Sequence, residues 1–220
     1  MRMQISSSLN DAGSPASHGF PVVGNITAHE PMASSRQEVE HFIQQVYLSR
    51  YGAKVRAFAP TLLALREDAT ILAAAGYRGA ASEALFLETY LEAPVEELIG
   101  ASRGETIYRS RVVEVGHLST VRGGEGRRLL QLLGPFLIDE GFDWAVSTVT
   151  CELRRLLERL GVAPVVLADA DSAALGSQAE DWGSYYEHAP VVLAIDLHRS
   201  LARYLALRGN ESPRSSAWEK

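Results

Sequence analysis

A short strand, a cluster of glycines and an amphipathic helix follow one another between residues 111 and 141. The β-branched run at 112–115 predicts a buried strand, with Glu114 inside it. Leucines from Leu129 onward are spaced to cover one face of a helix. Because the connection to the next strand is short, it predicts a right-handed crossover between parallel strands. This segment therefore predicts an α/β fold with a parallel strand pair.

Further elements flank this segment on both sides. In chain order, the pattern predicts a helix at 35–52, strands at 54–58, 61–65 and 70–78, a helix at 82–93, a helical turn at 94–100, a strand at 144–148, a helix at 151–160, strands at 162–167 and 191–197, and a helix at 200–207. Ser35 and Glu38 form a capping-box pattern at the first helix. The strands at 61–65 and 70–78 are expected to form a hairpin. We therefore expect one α/β domain with a mixed sheet and helices on both faces.

Length and composition indicate a single domain. The 220 residues are 46% hydrophobic and 22% charged, an ordinary globular balance. We expect a flexible leader at 1–33, the folded domain at 34–208 and a polar tail at 209–220. The net charge of −6 argues against nucleic-acid binding, and the single cysteine excludes an intramolecular disulfide framework. No signal-peptide core is present, and no apolar run approaches the ~20 residues that span a bilayer, so we expect a cytoplasmic protein without stable membrane insertion.

The glycine cluster is a candidate anion-binding site. Gly123, Gly124 and Gly126 lie between the predicted strand and helix. Backbone N–H groups point out of the first turn of a helix, and the helix dipole favours negative charge there. Arg122 and Arg127 add positive charge at the same place. The alternatives are a mobile surface loop for the glycines and solvated side chains for the arginines.

Several motifs in the same order resemble the thermostable hemolysin family. They are FIQQVYLSRYGAKVRAFAPTLLAL, AAAGYR, LFLETYLEAPVEELIG, VVEVGHLS, LERLG and WGSYYEHAPVVLAIDL. The match runs from about Phe42 to Leu197. This family resembles GNAT-type acyltransferases and, more closely, the acyl-homoserine-lactone synthases. The resemblance implies a GNAT-like domain with a mostly antiparallel sheet and a splayed parallel central pair. It also implies that this domain transfers an acyl group from a thioester to the amino group of a small, amino-acid-like or polyamine acceptor.

Glu114 is the sharpest catalytic candidate. The run Glu114-Val115-Gly116-His117-Leu118-Ser119 is similar to the synthase strand motif Glu-x-Ser-Arg-Leu/Phe-Ala. The resemblance implies that Glu114 helps to deprotonate the attacking amine, directly or through water. A carboxylate inside a buried strand is costly unless it is paired or functional. The alternatives are an outward-facing strand residue and a partner for an arginine such as Arg78.

The glycine cluster departs from the usual acetyl-CoA loop of GNAT enzymes, Arg/Gln-x-x-Gly-x-Gly/Ala. Counted from Arg122, the chain has Glu125 and Arg127 where two small residues are expected. Glu125 would repel a pyrophosphate. This register does not favour acetyl-CoA and leaves acyl-CoA or an acyl-phosphopantetheine on an acyl carrier protein as donor co-substrate. No metal-ligand spacing is present, so no metal is expected.

The remaining candidates are assigned to substrate contacts or to proton donation. Arg78 and Glu88 either pair with each other or recognise a charged group of the acceptor. His117 is expected at the edge of the site, and a surface position is equally compatible with the sequence. Trp182, Tyr185 and Tyr186 either pack over the sheet edge or cover the acceptor. By analogy with GNAT enzymes a tyrosine, Tyr185 or Tyr186, would protonate the leaving thiolate, and Tyr186 is the one we assign as catalytic.

Two rivals from other classes remain. The family name suggests a membrane-active hemolysin, although the apolar helices have the single stripe of core helices. A degenerate domain kept as a binding module would bind the donor without turnover. Leakage of liposomes would identify the first, and donor binding without thiol release would identify the second.

Overall fold

Seven strands form one mixed sheet in the computed structural model, which describes residues 26–209. The strands are β1 (Ile26–His29), β2 (Thr61–Glu67), β3 (Thr70–Gly79), β4 (Val112–Thr120), β5 (Trp144–Val149), β6 (Val165–Asp169) and β7 (Val191–Asp196). The helices are α1 (Arg36–Tyr51), α2 (Val95–Arg103), α3 (Gly123–Asp139), α4 (Cys151–Arg159) and α5 (Leu197–Gly209). Short 3₁₀ segments occupy Phe86–Tyr90, Arg109–Arg111, Ser172–Trp182 and Tyr185–His188. The order across the sheet is β1-β2-β3-β4-β5-β7-β6.

β4 and β5 form a parallel pair at the centre of this sheet, and the other pairings are antiparallel. Their register runs only from Val112 opposite Trp144 to Glu114 opposite Val146. Beyond that point the two strands diverge, and the Ser147 hydroxyl donates to the Val115 carbonyl at 2.7 Å. The predicted fold class, with its splayed parallel pair, is confirmed.

Helices cover both faces of the sheet, as the sequence predicts. On one face, Val39 and Ile43 of α1 pack with Leu62 and Ala74 of the β2–β3 hairpin. On the other, the leucines of α3 pack against β3, β4 and β5; they are Leu129, Leu133 and Leu137. Glu114 shares the α1 face because side chains alternate along a strand and its neighbours Val113 and Val115 belong to the α3 cluster. The α1 face therefore carries the candidate carboxylate.

The N-terminal boundary of the domain lies earlier than the sequence predicts. Residues 26–29, assigned to the flexible leader, form β1 and pair antiparallel with β2. Ser35 does not cap α1, because its hydroxyl bonds Nδ1 of His29 at 2.8 Å. Glu38, the other half of the predicted capping box, pairs with Arg66 at 2.7 Å. Residues 1–25 of the leader and 210–220 of the tail lie outside the described residues.

Several other predicted elements differ, and one of them, the strand predicted at 162–167, lies at Val165–Asp169. The segment 54–58 is not a strand, because its polar groups bond outside any ladder: the Lys54 N–H donates to the Asp181 carbonyl at 2.6 Å. The helix predicted at 82–93 shrinks to one 3₁₀ segment, Phe86–Tyr90. α2 continues past Gly100 and ends before Gly104, whose φ of 73° suits glycine.

α3 also begins earlier than predicted. Gly123, Gly124 and Gly126 belong to its first turn rather than to a preceding loop. The entropic cost of glycine is greatest in the middle of a helix, so these three glycines at its first turn are tolerated. Pro135 lies inside α3 without ending it. Within residues 26–209, no helix combines the length and apolarity needed to cross a membrane.

Candidate active site

Two cavities share a wall where β4 and β5 diverge. The first, of about 320 Å³, is lined by Glu114 and Arg78 and is called the carboxylate cavity. The second, of about 490 Å³, is lined by the first turn of α3 and is called the glycine cavity. The residues common to both are Tyr47, Gly116, His117, Thr148 and Tyr185. The sheet therefore opens at its centre into two adjoining compartments of different chemistry.

Glu114 lies inside the carboxylate cavity and is only 7% exposed. Its carboxylate accepts hydrogen bonds from the N–H groups of Phe86 at 2.9 Å and Leu87 at 3.0 Å. Arg78 Nε lies 3.3 Å away. Burial raises the pKa of Glu114, and the two N–H groups and Arg78 oppose that rise. Glu114 is therefore a partly desolvated carboxylate that is fixed by hydrogen bonds and has a pKa above its ordinary value.

Arg78 pairs with Glu114 and with Glu83, not with Glu88. Its Nη1 lies 3.4 Å from Glu83. Among residues 26–209, its Nη2 has no hydrogen-bond partner, and the side chain lines the carboxylate cavity. Arg78 therefore presents a donor to whatever occupies this space.

Glu88 holds the fold rather than a substrate. It accepts from both terminal nitrogens of Arg109, at 2.6 and 2.9 Å, and from the N–H groups of Leu85 and Val95. The Arg109 guanidinium, followed by those N–H groups, lowers the pKa of Glu88 to about 2. Glu88 lines neither the carboxylate cavity nor the glycine cavity. The predicted substrate contact is replaced by an ionic anchor beneath the Phe86–Tyr90 segment.

His117 occupies a β-bulge at the wall between the cavities. The β3–β4 register shifts there, and His117 has a φ of 54°, a rare value for histidine. Its Nε2 carries the proton, because it bonds a carbonyl, that of Ala57, at 3.1 Å. Burial lowers the pKa of His117 to about 4, so the ring is neutral. Its Nδ1 packs where a Cβ on Gly76 would stand, 2.9 Å away.

Tyrosine hydroxyls line the carboxylate cavity. Tyr186 and Tyr90 share a short hydroxyl–hydroxyl hydrogen bond, and Tyr185 donates to the Thr148 carbonyl at 3.1 Å. Burial raises the pKa of all three phenols, so they remain protonated. Trp182 packs on Tyr185 with ring centroids 5.4 Å apart. The sequence predicts Tyr186, Tyr185 and Trp182 at the site but not Tyr90. Tyr90 has the helical spacing of an ordinary packing residue.

The glycine cavity brings together most of the predicted phosphate-binding residues. Gly123, Gly124, Gly126 and Arg127 line it, whereas Arg122 does not. A Cβ on Gly123 or Gly124 would meet no atom within 4 Å, so the backbone of the first turn is open there. A Cβ on Gly126 would stand 3.1 Å from Cγ2 of Thr120. The first two glycines expose backbone, and the third allows close packing.

Other cationic side chains line the glycine cavity as well. Arg50 pairs with Glu152 across its rim. Arg127 and Arg159 also line it and have no ion pair among residues 26–209. Glu125, which the sequence placed against the ligand, does not line it. The cavity thus has an excess of positive charge beside a helix N-terminus.

A third, apolar cavity of about 110 Å³ lies on the α3 face beneath the divergence. It shares Leu118, Leu130 and Ser147 with the glycine cavity. Its other walls come from α3, α4, α5 and β7 and are largely aliphatic, including Leu133, Leu157 and Ile195. The glycine cavity therefore has an apolar extension into the core.

Residues 29–201 match the model of a protein family described as thermostable hemolysin. The chain belongs to the thermostable hemolysin family. A search of curated proteins with this sequence found no match.

Solved structures share the fold of this family member. TofI in an apo form is 14% identical, with a TM-score of 0.55 over 83% of this chain and 98% of its own. FeeM, an N-acyl amino acid synthase from uncultured soil microbes, is 12% identical, with a TM-score of 0.55 over 80% and 98%. BjaI, a CoA-dependent acyl-homoserine lactone synthase with SAM and isopentyl-CoA, is 13% identical, with a TM-score of 0.54 over 84% and 89%. Likeness at this level of identity establishes the fold.

Proposed function

We propose that this protein transfers an acyl group from a thioester to the amino group of a small acceptor. The supporting observation is the meeting of two unlike cavities at the β4–β5 divergence. One contains a buried carboxylate with a raised pKa, and the other contains an open helix N-terminus with unpaired arginines. The shared wall, with Gly116 and Thr148, is where the two substrates would react.

The glycine cavity is the donor side in this proposal. The N-terminus of α3, a 17-residue helix, carries about half a positive elementary charge and presents N–H groups to a phosphate. Arg127 adds a full charge. A phosphopantetheine arm, on CoA or on an acyl carrier protein, would then run along the gap between the strands. Its acyl chain would enter the apolar cavity past Leu118 and Leu130.

The carboxylate cavity is the acceptor side. The amine nitrogen attacks the thioester carbonyl carbon, a C–N bond forms, and the C–S bond breaks to give an amide and a free thiol. Glu114 takes the proton that the nitrogen loses, directly or through a water molecule. Tyr186 gives a proton to the leaving sulfur, and the proton held by Glu114 is passed through water to restore the phenol. The hydroxyl of Tyr185 donates to the Thr148 carbonyl, whereas Tyr186 can accept from Tyr90 and keep its own proton for the sulfur. The neutral ring of His117 separates the compartments without adding charge.

The experiment is a thiol-release assay with acyl-CoA and acyl-carrier-protein thioesters, each with and without amines. Glu114→Gln is compared with Glu92→Gln, which alters an exposed carboxylate outside the cavity. The melting temperature of each variant is measured to show that it is folded. Amine-dependent thiol release that is lost only in Glu114→Gln supports the proposal.

Absence of release from folded wild-type protein with every donor–acceptor pair contradicts it. Donor binding without release would then point to a binding module. Leakage of dye-loaded vesicles by the purified protein would point to the membrane-active alternative that the family description suggests.

A further inference from the structure

Opposite charges lie side by side on the floor of the carboxylate cavity. Arg78 Nε is 3.3 Å from a carboxylate oxygen of Glu114, and both side chains line the cavity. The two residues are also direct partners in the β3–β4 register. Their spacing is fixed by the sheet, because each side chain stands on a paired strand position. A ligand with a cation and an anion on neighbouring atoms is the electrostatic complement of such a floor.

A free α-amino acid has that arrangement, with its amino group and its carboxylate on one carbon atom. Arg78 retains Nη2 as an unused donor, and a guanidinium binds carboxylates with directional hydrogen bonds. Glu114 is the carboxylate in the cavity that attracts the ammonium group. The ammonium loses one proton to solvent water before attack, and Glu114 receives the second proton when the C–N bond forms.

The remaining walls favour a bulky, uncharged side chain. Six aromatic rings line the cavity: Tyr47, Phe86, Tyr90, Trp182, Tyr185 and Tyr186. Aromatic faces pack well on other rings and on aliphatic chains. The volume of about 320 Å³ lies at the lower end of the range for small-ligand sites, which suits one amino acid.

Charge at the rim argues against a polycationic acceptor. Lys54, Arg56 and Asp181 also line the cavity, and Arg56 pairs with Asp181 at 2.7 Å. With Arg78 and Glu114 included, three cations face two anions. A polyamine would meet net repulsion here and would leave the Nη2 donor of Arg78 without a partner.

We infer that the acyl acceptor is a free α-amino acid with a large uncharged side chain, read by Arg78 through its carboxylate and by the aromatic walls through its side chain. This inference rests on the proposed acyl transfer and specifies its acceptor. Arg78 is a specificity-determining residue in this account.

The test compares phenylalanine, tyrosine and leucine with glycine, glutamate, lysine, S-adenosylmethionine, spermidine and tyramine. Two readouts are used: amine-dependent thiol release, and quenching of Trp182 fluorescence by the acceptor without any donor. Trp182→Phe identifies the contribution of that residue to the signal. Tyramine is tyrosine without its carboxylate, so the ratio of kcat/KM for tyrosine to that for tyramine isolates recognition of the carboxylate.

We expect the large uncharged amino acids to give the highest kcat/KM and to quench Trp182. Arg78→Gln should lower the tyrosine-to-tyramine ratio by about tenfold or more, the effect of one lost charge-assisted hydrogen bond. Arg78→Lys should restore part of the ratio. Arg155→Gln, at an exposed position of α4 that lines none of the three cavities, should leave it unchanged.

The inference is overturned if spermidine, S-adenosylmethionine or tyramine is acylated as well as the best amino acid, although the proposed transfer would then stand. It is also overturned if the ratio is the same in Arg78→Gln and in the wild type. If no amino acid quenches Trp182 and no thiol is released, both the inference and the proposed function fail. Quenching without release from any donor retains amino-acid recognition and removes only the transfer step.

Discussion

Substitution of Glu88 by glutamine removes an ionic anchor that lies just outside the proposed site. Glu88 receives two hydrogen bonds from Arg109 and two from backbone N–H groups, those of Leu85 and Val95. Arg109 in turn donates to Glu96 at 2.7 Å and to the Ala80 carbonyl at 2.9 Å. The anchor therefore fixes the segment whose N–H groups hold Glu114. Glutamine has nearly the same shape, so the change tests the charge.

The expected loss of stability follows from these contacts. A hydrogen bond to a charged group contributes about 1.5–3 kcal/mol, and an amide NH₂ facing Arg109 replaces one acceptor by a donor. Both side chains are partly exposed, which reduces the loss through solvent screening. We expect Glu88→Gln to lower the free energy of unfolding by about 2 kcal/mol, which corresponds to about 4–8 °C in melting temperature for a domain of this size.

The pH dependence has a defined sign. The pKa of Glu88 is lowered from 4.5 to about 2 in the folded protein, so its contribution is complete above pH 4.5 and is lost as the pH falls towards 2. The stability difference between wild type and Glu88→Gln should therefore shrink across that range. Urea unfolding at several pH values measures it, with Glu92→Gln as the matched exposed control. A stability difference between wild type and Glu88→Gln below about 0.5 kcal/mol at pH 7 would show that the charge of Glu88 does not stabilise the fold. A difference that grows on acidification would show the same.

Three glycine substitutions separate binding from packing. Gly124→Ala should leave the free energy of unfolding unchanged or raise it by up to about 1 kcal/mol, because alanine suits a helix better than glycine. The same change should weaken donor binding, because the added methyl group covers the exposed backbone. Thermal unfolding measures the first effect and calorimetric titration with CoA measures the second. Gly126→Ala should cost about 1 kcal/mol because its Cβ would crowd Thr120, and equal stability of both variants would contradict this packing. Gly76→Ala should cost about 1–3 kcal/mol, because its Cβ would stand 2.9 Å from both His117 Nδ1 and the Ala59 Cβ. An unchanged melting temperature would contradict this close packing.

The sequence predicts the central architecture because local pattern and global topology agree there. The β-branched run at 112–115, the glycines and the leucine stripe of α3 each indicate an element, and their succession requires a parallel crossover. The β2–β3 hairpin is also predicted from a local signal, the turn that contains Asp68. In the structure Asp68 adopts a φ of 50°. These elements need no distant partner to be recognised.

Other parts depend on contacts that no local pattern contains. Alternation at 54–58 indicates a strand, but this segment bonds to Asp181, more than 120 residues away, instead of to a sheet. Glu88 and Arg78 lie in neighbouring motifs, yet each has another partner. The β3–β4 register places Glu114 opposite Arg78, and Arg109, in the 3₁₀ segment before β4, pairs with Glu88. The divergence of β4 and β5 beyond Glu114 is also a tertiary feature, and it is expected from the family resemblance rather than from a local pattern. The polar pair Ser147-Thr148 in a buried strand is a local signal of this divergence that sequence reasoning missed.

The central claim, acyl transfer at the β4–β5 divergence, is tested most directly by mass spectrometry of the product. Wild-type protein is incubated with an acyl thioester and a ¹⁵N-labelled amino acid. We expect an amide whose mass contains both the acyl group and the label, formed with one equivalent of free thiol and absent with Glu114→Gln. Thiol release that yields only the free fatty acid, or the same amide yield from Glu114→Gln, would contradict it.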